Sequence, residues 1–566
     1  MKKNFIGIET VIADNRLVAI TLSDGGGVFC ETGISSLAAI EFLFNLVHKR
    51  KDDKYIKDGV VFVCYAFSRS NEFIFSGLPS TLRDKVFQSY QIRHRIDEIE
   101  YEQETIDDVL YSVAKDSQEY EQADFNKHVN RLALAELTEV EYEGYKLSLL
   151  NGKSLTIRKG GKAVSIYDIY GFFKGDSFNT VLSNWFDTVT AKLGSSTTYA
   201  DYGEPLEYER LSKRVAHSIV RSGIVARLAN KVNDELSQYG INLTRYHGAG
   251  SIAGYWLGKM KAKTFFHNYR YKRQLAPELH KAINQAYYGG RAEQFKIGTL
   301  YDVKVYDINS AYANAIRYLP SLLRKPAFST NWQPRPFSVW FIEYDFSGLA
   351  DSLYFGLLPN RDLANHTKYK LKGAGYFWQP EIVYLIQNYP ECINIKYGFV
   401  CDYDNTPFDD EINKLYDLRK ELQAVNNPLE KVVKLSLSGM YGKFCQSQGK
   451  GHYYNLSYAG FITSFTRAQL LNATRTQAQT TITFQTDAIH STKYLDVAIS
   501  NEIGEYKLSE YAKVTYLDNG VYQCYDKAGN IVKTKTRGFR GFDFQKALAD
   551  IGGCRSFAGL VDIFIG

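Results

Sequence analysis

Apolar and polar residues alternate from Phe5 to Leu22, the period of two that puts successive side chains on opposite faces of paired strands. The period then lengthens. Ala38, Phe42, Leu43, Leu46 and Val47 recur at turn spacing and predict a helix over Ser36 to Lys49. Val60 to Tyr65 is a short apolar run of the kind that forms a buried strand, and Ser165 to Phe173 reads as a strand running into a loop. Leu211, Val215, Ile219, Val225 and Leu228 predict a long helix between Leu206 and Leu236, and Gly248-Ala249-Gly250 breaks the chain after it. Further on, Tyr301 to Tyr306 reads as a strand, and Thr480 to Phe484 leads into a hairpin whose return begins at Ile489. Between them, Ile412, Leu415, Leu418 and Leu422 give Glu411 to Val425 one inward helical face. Asn427-Pro428 then offers a capping side chain and a residue preset for a first helical turn, so a second helix follows at once.

At 566 residues, 45% hydrophobic and 23% charged, the chain has the composition of a globular protein and the length for several domains. A formal net charge of +6 is slight for this length, so any nucleic-acid surface must be local. Aromatic residues reach 14%, most expected in the core and some available as stacking platforms for bases. Cys30, Cys64, Cys392, Cys401, Cys445, Cys524 and Cys554 form no Cys-x-x-Cys pair, which argues against a zinc knuckle and a disulfide framework. The opening residues do not read as a signal peptide and no apolar run is long enough to span a bilayer, so a cytoplasmic location without membrane association is expected. Asp97 to Asp124 reads as a solvated acidic segment. Between residues 255 and 300, Lys259, Lys261, Lys263, Arg270, Lys272 and Arg273 interleave with Phe265, Phe266, Tyr269 and Tyr271, a mixture suited to tracking a nucleic-acid strand.

Three segments in the second half carry the chemistry. They are Tyr306-Asp307-Ile308-Asn309-Ser310-Ala311-Tyr312, then Lys434-Leu435-Ser436-Leu437-Ser438-Gly439-Met440-Tyr441-Gly442, then Gln485-Thr486-Asp487-Ala488. In order and spacing they resemble motifs A, B and C of the family B DNA polymerases, Asp-x-x-Ser-Leu-Tyr, Lys-x-x-x-Asn-Ser-x-Tyr-Gly and Asp-Thr-Asp-Ser. The resemblance implies template-directed transfer of deoxynucleotides from dNTPs to the 3′ end of a DNA primer–template. Asp307 and Asp487 would be the catalytic carboxylates and hold the metal, Mg²⁺ with Mn²⁺ as the alternative, because hard divalent cations prefer oxygen ligands. Ser310 and Tyr312 would lie at the incoming nucleotide, Tyr312 excluding a 2′-hydroxyl. Lys434, Ser438, Tyr441 and Gly442 would meet the nucleotide from a fingers helix, with Arg419 as a second triphosphate contact. Tyr287, Gly289, Gly290 and Arg291 resemble the family's Tyr-x-Gly-Gly template segment, and Lys533, Lys535 and Arg537 are expected on duplex phosphates.

The layout implied is a ribonuclease-H-like exonuclease-type domain over 1–245, α/β in class, and a connector over 246–300. A right-hand α+β polymerase follows, with palm at 301–410, fingers at 411–445, palm again at 446–540 and a short thumb at 541–566. Several positions depart from the family pattern. Gln485 replaces the first motif C aspartate, Ser438-Gly439 replaces Asn-Ser, Ala311 replaces Leu, and Gly520-Val521-Tyr522 lacks the lysine of the Lys-x-Tyr segment. The first exonuclease motif, Asp-x-Glu, reads Gly7-Ile8-Glu9, and the second, Asn-x-x-x-Asp, runs from Ala66 to Ser70. No Tyr-x-x-x-Asp stands where the third belongs, so an inactive exonuclease is expected, with one carboxylate left. The interval from Asp307 to Lys434 has room for an insertion of the kind protein-primed relatives carry, whereas that from Gly442 to Asp487 is short. A priming protein or a primase is thus an expected partner. Two other classes stay open: a DNA-binding pseudo-polymerase, and a primase or terminal transferase on the same palm.

Overall fold

The computed structural model describes residues 3–46, 60–66, 68–87, 140–150, 152–195, 208–260, 277–322, 326–334, 337–350, 353–361, 367–401, 405–446, 453–537 and 542–547. The end of the first expected helix at Val47, the acidic segment, the basic–aromatic run from Lys261 to Arg273 and most of the expected thumb lie outside the described residues. The chain forms two compact units, one of Met1–His267 with Asn413–Tyr454, the other of Asn268–Ile412 with Asn455–Gly566.

The first unit is built on an eight-stranded sheet in the order β3-β2-β1-β4-β8-β7-β6-β5. Its strands are β1 Asn4–Ala13, β2 Arg16–Leu22, β3 Gly27–Phe29, β4 Val60–Cys64, β5 Val140–Tyr142, β6 Tyr145–Leu150, β7 Ser154–Lys159 and β8 Lys162–Asp168. β1, β4 and β8 run parallel and the remaining neighbours antiparallel. The alternation over Phe5 to Leu22 thus resolves into a hairpin turned by Asp14 and Asn15, at φ 47° and 55°, the left-handed conformation that short Asp and Asn side chains tolerate. Where a loop was expected after Ser165, Asp168 instead caps one 3₁₀ turn, Ile169–Phe172. The helix Tyr208–Gln238 lies across β1. Gly248, at φ 94°, precedes a further helix, Ala249–Lys259, rather than ending the unit. Against that helix packs Leu429–Cys445, close enough that a Cβ on Gly439 would meet the Ala253 methyl at 3.8 Å. This packing groups the segment after Asn413 with the amino-terminal residues, although the sequence places it inside the second half.

The second unit holds a seven-stranded antiparallel sheet, β21-β20-β19-β10-β18-β17-β9. It comprises β9 Arg291–Gln294, β10 Gly298–Ile308, β17 Thr481–Thr486, β18 Ala488–Ser491, β19 Tyr506–Asp518, β20 Val521–Tyr525 and β21 Ile531–Thr536. Between β10 and β17 in sequence, a four-stranded sheet in the order β11-β16-β12-β15 is formed by β11 Ala327–Ser329, β12 Ser338–Asp345, β15 Lys372–Trp378 and β16 Ile393–Val400. A hairpin of β13 Leu358–Arg361 and β14 Thr367–Lys370 accompanies it. The helix Leu456–Thr474 is buried nearly all round, its Thr463, Thr466 and Thr474 hydroxyls donating to carbonyls one turn back. Among the described residues no helix is long and apolar enough to cross a membrane.

Candidate active site

β10 lies between β18 and β19, and this brings the two acids together. Asp307 faces Ala488 in the β10–β18 ladder, and the Ile308 N–H donates to the Asp487 carbonyl at 3.0 Å. Asp307 is exposed beside buried Tyr306 and Ile308, as strand alternation requires. Asp487 sits in the two-residue turn between β17 and β18, after Thr486 at φ 67°. A β-branched residue there is strained, and the ladder on both sides holds it. Burial, and then the Asp307 charge, push the Asp487 carboxyl up to about 6. Two carboxylates, one on a strand and one in the tight turn beside it, each raising the cost of the other's charge, suit a hard divalent cation that keeps water and phosphate in its remaining positions. Among the described residues no cluster of three or more His, Cys, Asp or Glu side chains adds to them.

Gln485, where the family motif has an acid, donates from Nε2 to Thr483 Oγ1 at 2.7 Å and Asn519 Oδ1 at 3.0 Å. A carboxylate has no N–H to donate, so it is the amide that ties the β17 strand in this way to the turn between β19 and β20. Ser310, at φ 51°, precedes the helix Ala311–Arg317, whose first turn carries Tyr312. The Tyr312 hydroxyl and the Thr486 methyl flank Gly290: a Cβ on Gly290 would stand 2.7 Å from each. Gly290 therefore belongs to the same constellation.

Arg291 does not fit its expected role on DNA. Its side chain is fully buried, with Nε donating to Glu293 at 2.6 Å, Nη2 donating to the Gly356 carbonyl at 2.8 Å, and its guanidinium over Tyr369 at 4.0 Å. A guanidinium so enclosed has no face for a phosphate. Its neighbours are held by residues that the sequence reading missed. Arg467 Nη1 donates to the carbonyls of Tyr288 (2.9 Å) and Gly289 (2.7 Å), while Nε and Nη2 clamp Glu381 at 2.8 Å each. A lone arginine in an otherwise uncharged helix was the available signal, since such a cation needs a buried partner. Tyr287 is half-buried and its carbonyl accepts from Arg361, while Gly289 is exposed.

In the first unit, Lys434, Ser438 and Gly442 share the exposed face of Leu429–Cys445, with Tyr441 half-buried beside them. Asn427 does cap this helix, accepting from the Leu429 N–H at 2.8 Å. Arg419, expected as a second triphosphate contact, donates from Nε to Glu430 Oε1 at 2.8 Å, both side chains largely buried, so this bond braces the two helices. On the edge strand β21, Lys535 and the following Arg537 are exposed, and Arg537 donates to the Asn519 carbonyl at 3.2 Å. Lys533 is half-buried opposite Cys524.

The exonuclease-like positions are filled by protein. A Cβ on Gly7 would overlap the Ser222 carbonyl of the helix Tyr208–Gln238. From the same helix, Arg221 Nε donates to Glu9 Oε1 at 3.0 Å. Burial raises the Glu9 carboxyl, and Arg221 opposes the rise. Ser70 and Thr10 share a hydroxyl–hydroxyl bond of 2.6 Å. The single carboxylate expected here becomes two, because Asp168 lies near enough to act on Glu9. Asp168 Oδ1 accepts from the N–H of Ala66, itself at φ 54°, and of Tyr170, at 2.9 and 3.0 Å.

The description DNA polymerase type B, organellar and viral, matches residues 220–518. The DNA polymerase of Acidianus bottle-shaped virus (isolate Italy/Pozzuoli) is 25% identical over 292 residues, 48% of this chain and only 42% of that relative's length. Phi29 DNA polymerase complexed with primer-template DNA and incoming nucleotide substrates has a TM-score of 0.58 at 15% identity, with 96% of this chain and 94% of that one covered. An orthorhombic crystal form of Phi29 DNA polymerase gives 0.57 at 14% identity, covering 95% and 93%. At such identities the likeness is one of fold, a mixed α/β multidomain architecture over nearly the whole chain. The match to the family spans more than half of the sequence and takes in both acids, and the chain belongs to the organellar and viral type B DNA polymerases.

Proposed function

We propose that this protein is a template-directed DNA polymerase that extends a primer 3′ end with dNTPs. The observation that carries the reading is that the sheet brings Asp307 on β10 beside Asp487 in the adjacent β17–β18 turn, with Asp487 destabilised as an anion until a counter-charge arrives. Asp307 and Asp487 would hold the divalent metal, Mg²⁺ in the cell and Mn²⁺ as a substitute. Bound there, such an ion supplies charge neutralisation for the triphosphate and activation of the primer hydroxyl. The 3′-hydroxyl gives up its proton to water, its oxygen forms a bond to the α-phosphorus, the bond from that phosphorus to the α–β bridging oxygen breaks, and pyrophosphate leaves. Tyr312, beside Gly290, is assigned to excluding the 2′-hydroxyl, and Ser310 to the same nucleotide. Lys434, Ser438, Tyr441 and Gly442 are assigned to the triphosphate and nascent pair on the strength of their exposed helix face. Tyr287, Gly289 and Gly290 are assigned to template, and Lys535 and Arg537, with Lys533, to duplex phosphates. A primer comes from a priming protein or a primase, and synthesis takes place in the host cell that carries the encoding element.

Primer extension with dNTPs and with NTPs, beside Asp307→Ala and Asp487→Ala, tests this. Extension by dNTPs that either substitution lowers by at least about a thousandfold is expected, since the ligand pair acts as a unit. Incorporation that survives Asp487→Ala overturns the site, and preference for NTPs favours a primase. DNA binding without any extension favours the pseudo-polymerase reading, for which Gln485 is the specific observation.

A further inference from the structure

We propose that Gly290, held by the buried Arg467–Glu381 pair, fixes how far the Tyr312 ring can retreat and so acts as a second determinant of which sugar the site accepts. The inference rests on the assignment of Tyr312 as the residue that excludes the 2′-hydroxyl. A ring works as a steric wall only if something stops it from yielding, and an apolar wall rejects an added hydroxyl by no more than about a hundredfold even when rigid. The stop is visible here. With a Cβ on Gly290 only 2.7 Å from both the Tyr312 hydroxyl and the Thr486 methyl, the space between the glycine and the tip of the ring does not hold even one added methyl group. Thr486 is itself fixed at φ 67° beside Asp487.

Gly290 in turn cannot drift, because the two carbonyls before it are held by one guanidinium edge. Arg467 Nη1 bonds both Tyr288 and Gly289, and Thr463 Oγ1 donates to the Tyr288 carbonyl at 2.6 Å. The opposite edge of Arg467 is locked onto Glu381, with each side chain about 1% exposed. A lysine supplies the charge but not this planar fork, so it keeps the pair and loses the grip on the turn. Gly290, Arg467 and Glu381 touch no reacting atom in this scheme and are positioning residues.

The experiment compares kcat/KM for one dNTP and the matching NTP on a DNA primer–template in the full-length protein, Arg467→Lys and Gly290→Ala. Arg467→Lys lets the ring recede, and the dNTP-to-NTP ratio is expected to fall by at least about tenfold while dNTP kcat changes less. Gly290→Ala drives the ring forward over the sugar, raising KM for dNTP several-fold more than it lowers kcat, with no loss of the ratio. Gly290→Ala leaves the buried pair intact and carries the test alone if Arg467→Lys does not fold. Ratios and KM values within twofold of the unaltered protein in the folded variants overturn the inference, even if Tyr312→Val relaxes the ratio and upholds the assignment beneath it. An unaltered protein that shows no dNTP preference, or no extension, refutes that assignment instead and takes the inference with it.

Discussion

Asp487 holds its proton to about pH 6 because burial disfavours its anion and Asp307 adds repulsion. An aspartate in the unfolded chain loses its proton near pH 4. Between these values the folded protein binds more protons than the unfolded one, so stability falls as pH rises through that window and stays at the lower level above it. The change from 3.8 to about 6 corresponds to about 3 kcal/mol, as an upper order of magnitude for a half-buried group. Asp487→Asn removes the penalty. The variant is expected to melt several degrees above the unaltered protein at pH 7.5 in chelator, and at the same temperature near pH 4, followed by calorimetry. Adding Mg²⁺ or Mn²⁺ closes the gap at pH 7.5, because the cation relieves the acid pair only where both acids are present. Coincident profiles at every pH would contradict the pairing. Gln485 fits the same balance: an amide at the first motif C position spares the pair a further negative charge and spends its N–H groups on Thr483 and Asn519.

The helix Leu429–Cys445 separates its two faces sharply, and the separation gives a test at the scale of the element. Val433, Leu437 and Met440 are buried, whereas Lys434 and Ser438 are exposed one position away. Lys434→Ala is expected to lower kcat/KM for dNTP by about ten- to a hundredfold with no change in melting temperature, because a lost charge-assisted contact of about 1.5–3 kcal/mol is felt only by bound nucleotide. Leu437→Ala is expected to do the reverse, costing about 2–5 kcal/mol of stability and sparing KM in the folded fraction. Equal effects of both on melting would remove Lys434 from the nucleotide. The sequence made this face legible, since period and capping are local: Asn427, the inward leucines, the strand to Tyr306 and the hairpin around Asp487 are all visible from spacing. What spacing does not carry is side-chain pairing across distant segments. The bonds of Arg419 to Glu430 and of Arg467 to Glu381, and the aromatic cage around Arg291, appear only once the fold closes over them. Gly290 illustrates the same limit: the sequence reads it as part of a template segment, and only the folded sheet shows what stands against it.

For the molecule as a whole, the expectation that it does not proofread rests on more than the departures from the exonuclease motifs. An exonuclease on this sheet needs open space at β1 for two cations and carboxylates free to bind them. Here Gly7 leaves room for a helix backbone, not for a side chain, because Ser222 lies directly on it. Glu9 is bound to Arg221, a fixed cation, and Asp168 spends one oxygen on two backbone N–H groups. The arrangement is self-consistent: without a carboxylate at position 7 the helix Tyr208–Gln238 can approach, and Arg221 on that helix then offsets the charge that remains. Restoring one residue is therefore not expected to give exonuclease activity. Gly7→Asp is expected to destabilise the fold, since the new side chain and the Ser222 carbonyl claim the same space. An end-labelled primer–template with Mg²⁺ and no nucleotides is expected to stay full length with the unaltered protein, which leaves the selectivity of insertion as the chain's own guard on accuracy. Steady shortening from the 3′ end that Glu9→Ala abolishes would mean that Arg221 gives way to metal and that the amino-terminal unit still hydrolyses DNA.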